Sequence, residues 1–257
     1  MHILVTNDDG VQAPGLLALA QALGRVGRVT VLAPERNWSA SGHVKTLHRP
    51  LRVWETVLGD GTPAFAADGA PSDCVALALL GFVPEPIDLV ASGINPHANI
   101  GHDVTYSGTV TAAMEAVIAG VPGIAFSLDS PEGHAGPLDY QAAATVAGLL
   151  VTQLVRRPMP KAMLLNVNIP SGPVETLRGI AVTRQGLRLY RDELVRRDDP
   201  RGRPYYWIGG QSPTGVADEG TDFGALAAGF VSVTPLQLDL TARDQVAELE
   251  SWDLRLT

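Results

Sequence analysis

Short apolar runs alternate with amphipathic stretches through the first two-thirds of this chain. Residues 3–6, 28–32, 87–91, 123–127 and 164–168 are compact runs of mostly apolar residues, and each reads as a strand. Between them, residues 15–23, 72–80, 110–119 and 140–155 carry apolar side chains at helical spacing. Pro14 opens the first helix, as proline does at a first helical position, and Gly120 ends the third. Buried parallel strands are apolar along their whole length. Strands alternating with helices in this way predict a Rossmann-like α/β fold, a mostly parallel sheet with helices on both faces.

From about residue 172 the texture changes. Residues 180–183 and 187–194 read as a projecting β-hairpin pair, with the charged, proline-bearing stretch 196–204 as its tip. A short helix at 222–228, an apolar strand at 230–236 returning to the sheet, and a terminal amphipathic helix at 242–252 follow. The predicted organisation is a single domain over 1–257: a core of about 1–171 and 220–241, a hairpin extension of about 172–219, and the C-terminal helix. Two strands cannot bury a core alone, so the hairpin is expected to pack on a partner subunit.

Four polar clusters fall where such a sheet gathers them, beyond strands or ahead of helices. Asn7-Asp8-Asp9-Gly10 follows the first strand. Residues 34–42, with Ser39 and Ser41, follow the second. Ser92-Gly-Ile-Asn95, running on to Asn99 and Gly101, follows the strand at 87–91. Tyr106-Ser-Gly-Thr109 leads into a helix. Two adjacent carboxylates before a glycine suit a hard cation held by oxygen, and the same four residues also suit a plain polar turn. Ser107, Gly108 and Thr109 put amides and hydroxyls where the helix dipole favours an anion. As simple capping residues they would contribute about 1 kcal/mol to the helix.

Composition narrows the classes. At 257 residues, 46% hydrophobic and 18% charged, the chain has the make-up of a globular protein with a substantial core. A net charge of -8 is opposite to the basic footprint of a protein that coats nucleic acid. A single cysteine, Cys74, rules out an intrachain disulfide and Cys-rich zinc sites, and its apolar helical setting reads as a buried structural thiol. The six histidines form no His-Glu-x-x-His pattern. No basic segment with an apolar leader opens the sequence and no apolar run reaches the length of a membrane span, so the expected compartment is the cytoplasm.

Taken in order, these motifs resemble the SurE family, the survival protein E nucleotidases. The resemblance runs from Ile3 to about Thr241. It includes Thr6-Asn7-Asp8-Asp9-Gly10, Ala33-Pro34 with Ser39 and Gly42, Ala91-Ser-Gly-Ile-Asn95 and Tyr106-Ser-Gly-Thr-Val110 with Glu115. It continues through Leu165-Asn-Val-Asn-Ile-Pro170, Gly220-Thr-Asp222 and Val231-Ser-Val-Thr-Pro-Leu236. The resemblance implies a metal-dependent phosphatase acting on nucleoside 5′-monophosphates, and in some members 3′-monophosphates. By position it implies one divalent ion per subunit, Mg²⁺ or Mn²⁺, on Asp8, Asp9, Ser39 and Asn95. Ser107, Gly108 and Thr109 would bind phosphate with Asn99 nearby, and the subunits would assemble as a homodimer or tetramer by exchanging C-terminal elements. Pro96-His97 departs from the family pattern, which has glycine at the second position; His97 is left either as a group at the site mouth or as a spectator.

The expected chemistry is attack of water on a phosphomonoester. Asp8 or Asp9 would orient or deprotonate the water, while the metal polarises the phosphoryl group. Direct attack by an aspartate is the competing route. Exopolyphosphatase activity at the same site, or a non-catalytic nucleotide sensor, are the alternative functions.

Overall fold

The computed structural model describes residues 1–131, 133–252 and 254–256. The first two-thirds run β1 (His2–Thr6), α1 (Pro14–Gly24), β2 (Arg28–Pro34), β3 (Val53–Val57), β4 (Pro63–Ala67) and α2 (Pro71–Leu77). There follow β5 (Leu89–Asn95), α3 (Gly108–Ile118), β6 (Gly123–Asp129), α4 (Gln141–Leu154) and β7 (Leu164–Pro170). The last third holds β8 (Ile180–Val182), β9 (Arg188–Asp198), β10 (Pro204–Gly215), α5 (Asp222–Ala227), β11 (Val231–Pro235) and α6 (Arg243–Glu250).

Nine strands form one sheet in the order β3-β4-β2-β1-β5-β6-β7-β11-β8. Neighbours run parallel except β3–β4 and β7–β11. The expected mostly parallel α/β sheet is what the chain forms. Alternation along β1 divides the core. Ile3 and Val5 join Leu16 and Leu19 of α1 and Ala143 and Val151 of α4 on one face. Leu4 faces the other way, onto Cys74 and Val75 of α2 and Ala112 and Ala116 of α3. Helices therefore cover both faces, and Cys74 is the buried thiol expected, its ionisation opposed by burial.

One pairing differs from expectation. Residues 180–182 do not pair with 187–194; β8 instead lies parallel to β11 at the edge of the large sheet. The hairpin is β9 with β10, paired from Pro204 opposite Asp198 to Gly215 opposite Arg188 with one register shift between Gln211 and Thr214. Turn chemistry decides this. The Asp199 carboxylate accepts the N–H groups of Arg201 and Arg203 (2.8 and 2.9 Å), and Gly202 takes a φ of +75°. That closes the reversal at Asp199–Arg203, inside the expected tip, and leaves 180–182 free to complete the sheet.

From β1 the chain goes to β2 on one side, while β5, β6 and β7 build outward on the other. The carboxyl ends of β1 and β5 therefore flank a topological switch point, the place where open parallel sheets bind ligands. Among the described residues, no helix is long and apolar enough to cross a membrane.

Candidate active site

β1 delivers Asp8 and Asp9 to the β1/β5 crevice through a braced turn. The Asn7 side chain bonds Gly10 twice, donating to its carbonyl (3.0 Å) and accepting its N–H (3.2 Å). Gly10 has φ +104°, a conformation that a Cβ would strain. Asn7, unremarked in the sequence beyond its place in the motif, is thus the bracket that aims both carboxylates.

Asp8 is 3% exposed and sits against the first turn of α3. Its carboxylate accepts the Thr109 hydroxyl, and the Gly108 and Thr109 amides also stabilise its charged form. A Cβ on Gly108 would lie 2.6 Å from the Asp8 Cβ, so only glycine permits this approach. Burial still dominates and pushes the Asp8 pKa up. Asp9 is pushed up to about 7, first by burial and then by the neighbouring Asp8 charge. One oxygen of Asp9, Oδ2, is buried with no hydrogen-bond partner.

The loop after β2 is fastened over this pair. Trp38 N–H donates to the Asp8 carbonyl (2.7 Å), and Asn37 Nδ2 approaches Asp9 Oδ1 at 3.5 Å. Ser39 lies in this loop, exposed, with its N–H on the Asn37 side chain (2.7 Å). The far end of the loop is tied to α3: Gly42 N–H donates to Tyr106 O (2.9 Å), and Thr111 Oγ1 donates to Gly42 O (3.1 Å). Buried Glu115 on α3 then accepts from His43 (2.9 Å) and Lys45 (2.7 Å). These bonds hold its carboxyl below the usual range, that from His43 foremost. The sequence hint was a lone acid inside the apolar α3, where an unpaired charge would be costly.

Asn95 ends β5 and donates from Nδ2 to the His97 carbonyl. Among the described residues, neither Ser39 nor Asn95 hydrogen-bonds to Asp8 or Asp9: Ser39 follows Trp38, whose N–H is tied to the Asp8 carbonyl, and Asn95 ends the strand beside β1. Ser107 is the N-cap of α3, its Oγ accepting Val110 N–H at 3.1 Å. Asn99 is turned into the sheet: Nδ2 donates to Ser127 Oγ (2.8 Å), while the Asn166 and Asn168 amides hold its carbonyl (2.7 and 3.1 Å). His97 is exposed and avoids the left-handed region, Ala40 being the only described non-glycine residue with positive φ. Because Ser130 Oγ donates its one hydrogen to Pro96 O (2.6 Å), it accepts from His97 Nδ1, 3.0 Å away. Tyr140, the N-cap residue of α4, has its hydroxyl pushed up to about 12, first by burial and then by the Asp9 charge.

The donors suit a hard divalent cation. Buried Asp8 and half-buried Asp9 repel one another, and Asp9 Oδ2 is orphaned. Among the described residues no three His, Cys, Asp or Glu side chains gather, so such an ion would rest on two carboxylates and neutral oxygens.

Residues 3–192 match the family model described as Survival protein SurE. A protein of Chloroflexus aggregans named 5′-nucleotidase SurE is 54% identical over 98% of this chain and 99% of its own length. Its namesake in Geobacter sulfurreducens is 52% identical over 99% and 94%. The crystal structure of the SurE protein of Aquifex aeolicus superposes with a TM-score of 0.82 at 39% identity, covering 99% of this chain and all of that one. By its sequence, and by a fold shared with a solved member, this chain belongs to the SurE family.

Proposed function

We propose that this chain is a metal-dependent phosphomonoesterase that hydrolyses nucleoside 5′-monophosphates to nucleoside and phosphate. The observation that carries the reading is the Asp8–Asp9 pair at the β1/β5 crevice: Asp8 is buried and pressed on the N-terminus of α3, and half-buried Asp9 keeps one oxygen unpartnered. The relatives named 5′-nucleotidase match nearly the whole of this chain, which supports the same activity.

Asp8, Asp9, Ser39 and Asn95 are the residues we assign to one Mg²⁺ or Mn²⁺ per subunit. When bound, the ion polarises the phosphoryl group and acidifies water. Asp8 is locked by Thr109 and serves as a fixed ligand. Asp9 keeps a free oxygen, and we assign it the base that takes a proton from the attacking water as the new O–P bond forms. The P–O5′ bond breaks in line, and the nucleoside leaves with a proton from solvent. The N-terminal turn of α3, Ser107 to Thr109, faces the phosphate, where its amides and dipole offset the charge that builds on the oxygens. Asn99 shapes the floor beside it through the Asn166–Asn168 network. The cytoplasm, where its nucleotides are found, is the proposed compartment.

Phosphate release from a panel of nucleoside 5′- and 3′-monophosphates and polyphosphate, with Mg²⁺, with Mn²⁺ and after EDTA, tests this. Full turnover in EDTA by folded protein refutes the metal dependence. Release from polyphosphate alone would make the chain an exopolyphosphatase, and nucleotide binding with no turnover would make it a sensor.

A further inference from the structure

The base of the β9–β10 hairpin is sewn to the segment that leads into the α3 N-terminus. Gln185 Nε2 donates to Gly101 O (2.8 Å). Asp222, wholly buried at the start of α5, accepts the N–H groups of Gly101 (2.8 Å) and Gly186 (2.7 Å) on one carboxylate. Two residues on, Asp103 lies 3.0 Å from Arg188 Nε of β9, an ion pair without hydrogen-bond alignment, and accepts the hydroxyl of Tyr190. The Arg188 side chain is only 17% exposed, and its guanidinium lies 5.7 Å from the Phe223 ring. The other end of Asp103 acts on the site: its carbonyl accepts Tyr106 N–H (3.0 Å) and Ser107 N–H (3.1 Å). Those bonds close the turn that orients the Ser107 cap and the Gly108–Thr109 amides.

We infer that Asp103, gripped by Arg188 and Tyr190, is a positioning residue through which the hairpin base sets the phosphate-facing turn of α3. A packed fold does not need this link, since α3 is already buried against β5 and β6 and capped by its own Ser107. What the link supplies is orientation: it holds the backbone just ahead of the helix to a strand that otherwise projects from the sheet. Displacing reactive or binding groups by a fraction of an ångström is costly to an anion site while costing little stability. The inference rests on the proposed role of this turn in binding phosphate.

The test uses full-length protein with Mg²⁺ and three single variants: Asp103→Asn, Tyr190→Phe and Arg188→Met, with Arg188→Lys as the conservative rescue. Inorganic phosphate affinity is read by calorimetry, and KM, kcat and Tm are measured on the same samples. Phosphate Kd and nucleotide KM are expected to rise together, about 5- to 10-fold in Asp103→Asn and about 3-fold in Tyr190→Phe, with kcat nearly unchanged. Arg188→Lys should recover part of the loss seen in Arg188→Met. Should Asp103→Asn fail to fold, Tyr190→Phe, which removes one exposed hydroxyl, still decides. Lowered Tm with unchanged phosphate Kd and KM would overturn the inference and leave Asp103 a fold staple. Wild-type protein that binds phosphate without hydrolysing nucleotides would refute the proposed function, yet the variants' phosphate Kd would still judge this link. Wild-type protein that binds no phosphate would overturn it.

Discussion

At the scale of single residues, burial pushes the pKa values of both adjacent carboxylates up, and the Asp8 charge adds to this at Asp9. Asp8→Asn and Asp9→Asn are each expected to lower kcat by about 100-fold or more, since one removes a fixed ligand and the other the assigned base. Steady-state turnover with saturating Mn²⁺ checks this. The raised pKa of Asp9, about 7, also makes a stability prediction for metal-free protein. A carboxyl raised above its unfolded value contributes stability fully below the unfolded pKa and loses it as pH rises through the folded pKa. The Tm of EDTA-treated protein should therefore fall between pH 4 and about 7, and Asp9→Asn should flatten that slope. A cation removes the penalty, so Mn²⁺ should raise Tm more at pH 8 than at pH 5; equal shifts at both would argue against a site on these groups. Both aspartates were legible as a pair in the sequence. That Thr109 is spent on Asp8 was not, because the two residues meet only when α3 docks beside β1.

At the scale of elements, α3 separates two roles that the motif Ser107-Gly108-Thr109 runs together. The Ser107 hydroxyl is the helix cap, so Ser107→Ala should cost about 1 kcal/mol of stability. Thr109→Val keeps the shape but frees Asp8, and should lower kcat/KM about 10-fold with a smaller change in Tm. Chemical denaturation and kinetics on the same two variants separate these outcomes, and the reverse pattern would reject the assignment. Gly108→Ala is a sharper probe: its methyl would meet the Asp8 side chain at 2.6 Å, so activity should collapse in a protein whose circular dichroism is unchanged. Elements with strong periodicity were read correctly to within a few residues. β8 was not, because a three-residue apolar run carries no information about its partner, and pairing follows from which edge is open.

At the scale of the whole molecule, the hairpin and the terminal helix present apolar side chains with little beneath them. Leu194 (72%), Trp207 (64%) and Ile208 (82%) are exposed on β9 and β10, and Leu254 is 73% exposed beyond α6. We expect these to be covered by a second copy of the chain, giving a dimer or tetramer. Sedimentation at micromolar concentration should show that assembly, and Trp207→Asp with Ile208→Asp should shift it toward monomer. A stable, active wild-type monomer would contradict the expectation.

What the sequence by itself determined was whatever depends on local chemistry. Short continuous apolar runs between turn residues read as buried strands, helical spacing reads as amphipathic helices, and Asn7-Asp8-Asp9-Gly10 after the first strand reads as two carboxylates on a polar turn. The ordered motifs carry the resemblance to the SurE family, which similarity over nearly the whole chain then shows. The tertiary structure decided whatever depends on distance across the chain. It turned Asn99 inward onto Ser127, gave Glu115 to His43 and Lys45, and joined Asp103 to Arg188 and Tyr190. The physical reason is that a side chain's character is local, whereas its hydrogen-bond partner is set by packing between elements distant in sequence, and no periodicity encodes that choice.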